Sequence, residues 1–211
     1  MNKILLIFCL IFNFCYSQKK EYFFDSKSIS KTNKYKIKIS QKNSRNESIV
    51  NYELFKKLAN KWTKIQKGNF KKQTDIGLFV TVDEDLNNDG YNDLKISYAQ
   101  AARGANEIEK LFIFNPLTQR LVEIINSQNY PNLHYNKKRN CINSYTFYSG
   151  NSTYFLNIKE NRLENFARVD FYNDSVYSYK IKNGKETLLE KREYKSNDEG
   201  IFFSNFEPIE E

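Results

Sequence analysis

Residues 177–189 read Tyr-Ser-Tyr-Lys-Ile-Lys-Asn-Gly-Lys-Glu-Thr-Leu-Leu. Tyr177, Tyr179 and Ile181 alternate with Ser178, Lys180 and Lys182, the period-2 pattern of a half-buried strand. Asn183-Gly184 then offers two residues that accept positive φ, as a two-residue hairpin turn requires. The strand pattern resumes at Thr187 to Leu189. The same pattern extends upstream. Residues 78–82 form an apolar run, and Leu94, Ile96 and Tyr98 alternate. Residues 111–114 and 121–125 flank a turn at Asn115-Pro116-Leu117-Thr118. Segments 145–148, 153–158 and 166–171 follow, with turn residues at Ser149-Gly150-Asn151 and Asn173-Asp174. Strands recurring about every ten residues predict a mainly β protein, an antiparallel sandwich, barrel or propeller-like meander.

Nearer the N-terminus, Tyr35, Ile37 and Ile39 alternate with lysines, another strand signal. Residues 41–48 read as a polar turn. Leu54, Leu58, Trp62 and Ile65 recur at helical spacing among Lys56, Lys57, Lys61 and Lys64, which predicts one N-terminal amphipathic helix near 51–66, ended by Gly68. Its apolar stripe reads as core packing. Residues 18–33 are polar and read as a flexible lead-in.

Composition narrows the function. Aromatics make up 16% of the 211 residues, more than a disordered chain carries, so a packed core is expected. With only 7 Gly, 3 Pro and 1 His, Gly-rich nucleotide loops, His-based metal clusters and collagen-like repeats are excluded. Met1-Asn2-Lys3 followed by the apolar run 4–14 and Cys15-Tyr16-Ser17 reads as a signal peptide over 1–17. The run is too short to span a bilayer, so no transmembrane segment is expected after cleavage. Lipidation at Cys15 is the alternative. The expected location is the periplasm or the outside, and the expected organisation is a single domain over 34–211. Cys9 and Cys15 leave with the signal, so Cys141 stands alone without an internal disulfide and reads as a small buried hydrophobe.

Charge is uneven. Residues 18–75 hold 16 Lys/Arg against 5 Asp/Glu, and residues 76–211 hold 16 against 20. The lysines are scattered singly and no nucleic-acid motif is present. A solvated face is expected, with attraction to an anionic surface or acidic partner as the sharper alternative, and no nucleic acid.

The strongest chemical motif is Asp85-Leu86-Asn87-Asn88-Asp89-Gly90-Tyr91-Asn92-Asp93, or D-x-N-x-D-G-x-x-D. Oxygens at positions 1, 3, 5 and 9, with the Tyr91 carbonyl at 7, can converge on one hard cation, and Gly90 permits the reversal between them. Position 12 is Ile96 rather than a bidentate Glu, and the flanks are strand-like, so this is a strand–loop–strand site rather than an EF-hand. Oxygen-only ligands favour Ca2+, with Asp93 as the stronger carboxylate contact and Asp83 and Glu84 adding negative potential. The alternative is a solvated Asx turn. His134 and Cys141 lack a local catalytic signature, and no G-x-S-x-G elbow, zinc cluster or P-loop exists. A non-enzymatic protein is expected.

The block from Val80 to about Glu193 resembles exported bacterial proteins related to the periplasmic lysozyme inhibitors, including immunity proteins against peptidoglycan-cleaving toxins. The residues that carry the likeness are Asp85 to Leu94, Arg103-Gly104-Ala105-Asn106, and Phe112 to Val122 around Asn115-Pro116-Leu117-Thr118. The resemblance implies a calcium-stabilised β domain that binds a protein partner, a lysozyme-like hydrolase. It also implies an inhibitory loop of S-G-x-x-Y type, matched here by Ser149, Gly150 and Tyr154 with one extra residue. Arg103 and Asn106 form the second candidate partner surface. A basic inhibitor is not steered toward a basic lysozyme, so either an acidic target or contact through the acidic part of the chain is required. The alternative function is a cell-surface adhesion or glycan-binding module using exposed aromatics.

Overall fold

The protein is described by a computed structural model over residues 20–30, 33–195 and 200–211. The expected signal peptide, 1–17, lies outside the described residues. Four antiparallel sheets follow one another along the chain. The first contains β1 (Lys20–Asp25), β2 (Tyr35–Asn43), β3 (Ser48–Leu58) and β4 (Lys61–Lys72), paired in chain order. The second contains β5 (Val80–Thr81), β6 (Leu94–Ala101), β7 (Asn106–Asn115) and β8 (Arg120–Ile124). The third is a six-stranded meander of β9 (His134–Asn136), β10 (Cys141–Phe147), β11 (Asn151–Lys159), β12 (Arg162–Tyr172), β13 (Ser175–Lys182) and β14 (Lys185–Glu193). A short hairpin of β15 (Asn205–Phe206) and β16 (Ile209–Glu210) ends the chain. Among the described residues no sheet closes into a barrel.

The expected helix over 51–66 is not formed. Those residues make most of β3, a two-residue turn and the start of β4. Ala59 (φ 42°) and Asn60 (φ 68°) both adopt the left-handed region, the conformation of a hairpin turn whose twist matches its strands. Leu54 is fully buried, whereas Leu58 is 46% exposed and Trp62 36%, so the apparent stripe is divided between different environments. Gly68 lies inside β4 opposite Tyr52 rather than at a helix end. The lead-in also differs from expectation, because Lys20–Asp25 pairs with Ile37 to Lys42 and Ile29 is buried in the core.

The sheets stack face to face in chain order. Ile37, Ile39, Val50 and Leu54 of the first sheet pack on Leu94, Ile96, Phe112, Phe114 and Leu121 of the second. Strand alternation turns Leu111, Ile113 and Ile124 to the opposite face, where they meet Leu133, Ile142, Leu156 and Leu163. The far side of the third sheet presents Phe155, Ala167, Val169 and Val176 to Ile201, Phe203, Phe206 and Ile209 near the C-terminus. Each fully buried Leu, Ile or Phe contributes roughly 1.5–3 kcal/mol relative to exposure.

Side-chain amides join the layers where backbone ladders end. The Gln66 side chain donates to the Leu121 carbonyl (2.8 Å) and accepts from the Leu121 N–H (2.8 Å). Asn106 does the same to Phe147 (3.0 and 2.8 Å), and Asn126 to Leu163 (2.9 and 2.8 Å). A primary amide has the donor and acceptor pattern of a peptide group, so each acts as one further rung between neighbouring sheets.

Candidate functional site

The Asp85–Asp93 loop leaves β5 and returns into β6 at the boundary between the first two interfaces. Two side chains pin it. Leu86, 1% exposed, enters the core between the second and third sheets, and Tyr91 packs at 5.3 Å from the Phe114 ring in the core between the first and second. Asn92 donates to the Val82 carbonyl, and Asn88 donates to Asn140, which also accepts from the Tyr135 hydroxyl.

Within the loop, Asp85 accepts from the N–H groups of Asp89 (3.0 Å) and Gly90 (2.7 Å), and Asp89 accepts from that of Tyr91 (2.9 Å). Gly90 sits at φ 89°, the positive value that the reversal requires. These bonds fold the side-chain oxygens of Asp85, Asn87 and Asp89 around one exposed turn. Asp93 points elsewhere. It is 2% exposed, accepts from Leu86 N–H (2.9 Å) and Phe114 N–H (3.1 Å), and ties the loop to β7. Burial pushes its carboxyl up to about 7, against those two hydrogen bonds, and Asp89 and Asp85 add repulsion.

The donor chemistry suits a hard cation through Asp85, Asn87, Asp89 and the Tyr91 carbonyl, with Asp93 as a buried support. Among the described residues no three His, Cys, Asp or Glu side chains group together to hold a metal. With Asp93 turned inward, two carboxylates and one amide remain at the exposed turn.

Beside the loop lies an ionic cluster that sequence reading missed. Lys95, buried on the face toward the third sheet, pairs with Glu84 (3.1 Å), lies 3.8 Å from Glu109 and donates to the Leu133 carbonyl (2.8 Å). Glu84 also accepts from the Tyr135 N–H. Burial raises the Glu109 pKa, and Lys95 partly offsets the rise. Glu84 therefore joins two sheets rather than simply adding negative potential to the loop.

The expected partner residues fall into different environments. Ser149 is exposed in the β10–β11 turn, and Gly150 follows it where a Cβ would lie 2.3 Å from the Phe171 carbonyl oxygen. Close backbone approach thus accounts for this glycine. Tyr154 is half-buried within β11, edge-on to Tyr130 at 5.9 Å, so it does not share the turn's tip. Arg103 is exposed in the β6–β7 turn at φ 56°, but Asn106 is 6% exposed with its amide bound to Phe147. The structure separates Arg103 from Asn106 in role: one is surface, the other an inter-sheet rung.

A polar constellation surrounds Tyr154 instead. Arg168 donates to Asp170 (3.0 Å) and, through both terminal nitrogens, to Glu186 (2.9 and 3.1 Å), while its guanidinium lies 5.0 Å from the Tyr179 ring centroid. Ser152 donates to Asp170 (2.6 Å) and contacts the Tyr148 hydroxyl at 3.2 Å. Period-2 alternation places these groups on one face, but their grouping needs the pairing of β11 through β14. His134 stacks on Tyr145 at 4.4 Å, and burial lowers its pKa. Cys141 is buried with its thiol pushed up to about 11, unsuited to nucleophilic attack.

No protein-family model matches this chain, and no curated protein matches it. Among solved structures, a Xanthomonas Type IV secretion system related protein is similar at TM-score 0.47 and 11% identity, over 73% of this chain and 89% of that one.

Proposed function

We propose that the protein is an exported, non-enzymatic, calcium-stabilised binding protein that inhibits a peptidoglycan hydrolase, as an inhibitor or immunity protein. The observation that supports this most is the anchoring of the 85–93 loop through Leu86 and Tyr91 in two separate cores, since a cation there stiffens the joint between all three large sheets. Asp85, Asn87, Asp89 and the Tyr91 carbonyl would hold the ion. Bound calcium would neutralise the crowded carboxylates and fix the turn. The partner surface would be the exposed Ser149 turn with Tyr148 and the Arg168–Asp170–Glu186 face. It lies in the part of the chain where acids outnumber bases, which suits a basic hydrolase.

Two measurements test this reading. Calcium at 100 times its Kd should stabilise by about 2.7 kcal/mol, or a Tm rise of about 5–11 °C, and Asp85→Ala with Asp89→Ala should remove the rise. An unchanged Tm with calcium and with chelator refutes the ion. Lysozymes and lytic transglycosylases should include one enzyme that the protein inhibits, with inhibition lost in Ser149→Arg at unchanged Tm. No inhibition across the panel at tenfold molar excess refutes the inhibitor assignment.

A further inference from the structure

The outer face of the first sheet, opposite its core, collects lysines and aromatic rings. Strand register sets β1 to β4 side by side, and the side chains turned away from the core include one lysine from β1, three from β2 (Lys36, Lys38, Lys42), one from β3 and three from β4 (Lys64, Lys67, Lys71). Two acidic side chains meet the described residues of that face: Glu53 pairs with Lys64, and Glu47, from the β2–β3 turn, pairs with Lys71. Four rings lie among these lysines: Tyr22 (73% exposed), Phe24 (57%), Phe55 and Trp62. A groove of about 540 Å³ runs past Tyr22, Phe24, Lys38 and Glu53.

We infer that this face docks on an anionic phospholipid bilayer, with the lysines at the headgroup layer and Tyr22, Phe24 and Trp62 at the water–hydrocarbon boundary. Charge complementarity comes first, because eight cations against two carboxylates favour a surface of many mobile anions. All eight are lysines and none is an arginine. Lysine is a point charge without the planar fork that matches one phosphate or carboxylate bidentately, so the face reads charge density rather than a fixed ligand shape. Single-stranded nucleic acid would need open ring faces for base stacking. Here the Lys36 ammonium lies 4.7 Å from the centroids of both Phe55 and Trp62, and 5.7 Å from that of Phe24. A second copy of the chain would bring like charges together. Trp and Tyr at the edge have the amphipathic character of interfacial anchors.

Trp62 is the chain's only tryptophan and reports directly on this face. The full chain is mixed with vesicles of phosphatidylglycerol and phosphatidylcholine, or of phosphatidylcholine alone, and binding is followed by co-sedimentation and Trp62 emission. Binding to the anionic vesicles alone is expected, with a blue shift, quenching by brominated lipid and release by high salt. Reversing three exposed lysines (Lys42→Glu, Lys57→Glu, Lys67→Glu) should weaken binding at least a hundredfold, at about fivefold per lysine removed. Lys180→Glu, Lys182→Glu and Lys185→Glu on the third sheet change net charge equally and should weaken it far less. Equal losses in the two triple variants overturn the assignment to this face. So does wild-type binding without a Trp62 shift or quenching, a readout independent of variant folding. Absence of vesicle binding overturns the proposal, as does tighter binding to a single-stranded oligonucleotide or to polyglutamate than to the vesicles.

Discussion

Replacing Asn106 with alanine tests how the sheets are joined. Asn106 is 6% exposed, and its amide satisfies both the N–H and the carbonyl of Phe147 across the junction between the second and third sheets. Alanine removes both bonds and leaves a donor and an acceptor in a partly buried seam. Each unsatisfied group costs about 1–3 kcal/mol, so the loss should be about 2–6 kcal/mol. Against the roughly 5–15 kcal/mol that holds a typical domain folded, this is a large fraction. A mid-range loss of about 4 kcal/mol corresponds to a Tm lower by about 8–16 °C at this chain length. Asn106→Asp keeps the acceptor toward the Phe147 N–H but sets a carboxylate oxygen against the Phe147 carbonyl, so it should also destabilise. Asn69, exposed in β4, supplies the control, and Asn69→Ala should stay within about 0.5 kcal/mol of wild type. Equilibrium urea denaturation followed by circular dichroism measures all three. If Asn106→Ala matches Asn69→Ala, the amide does not act as an inter-sheet rung.

Gly150→Ala should destabilise by roughly 1–3 kcal/mol, because the new Cβ meets a backbone oxygen at 2.3 Å, and Tm from a thermal melt reads it. A neutral substitution would show that the turn can shift away from Phe171 freely. Lys72 predicts a pH dependence. It is 6% exposed, donates to the Gly77 carbonyl (2.9 Å) and Ser97 hydroxyl (2.8 Å), and burial lowers its pKa to about 8. Its folded pKa lies below its unfolded value, so the charged form opposes folding below pH 8, and that cost fades as pH rises from about 8 to 10.5. Any stability advantage of Lys72→Met near pH 7 should therefore shrink by on the order of 3 kcal/mol by pH 10.5. Cys141 and Tyr145, pushed up to about 11 and about 12, lose stability with rising pH in both proteins and cancel in the difference. A difference that does not vary between pH 7 and 10.5 refutes the shift.

Period-2 alternation was legible because one face of each strand is buried: Ile37 and Ile39 are inside while Lys38 is exposed. Asn183-Gly184 is likewise the turn between β13 and β14, with φ 51° and 72°. The helix expectation failed at Ala59-Asn60, where a hairpin reverses the chain without the glycine that signals such turns. Four apolar residues then fell at helical intervals although they belong to two strands. The 85–93 loop was recognisable from composition and spacing, but the orientation of Asp93 depends on Phe114, 21 residues away. Asn106 and Tyr154 look like surface residues in a linear reading. Their environments are set by Phe147 and Tyr130, which only the stacking of sheets brings near. The lysine-rich face was visible only as scattered charge, since its density arises when four strands lie in register.

The last described residues have a consequence for synthesis. Ile201, Phe203, Phe206 and Ile209 cover the outer face of the third sheet, and every earlier sheet finds its partner from sequence already made. A growing polypeptide can assemble its layers from the beginning onward, yet it keeps Phe155, Val169 and Val176 uncovered until these closing residues arrive. A chain cut before Ile201 would keep that apolar wall bare and sticky, open to aggregation or proteolysis.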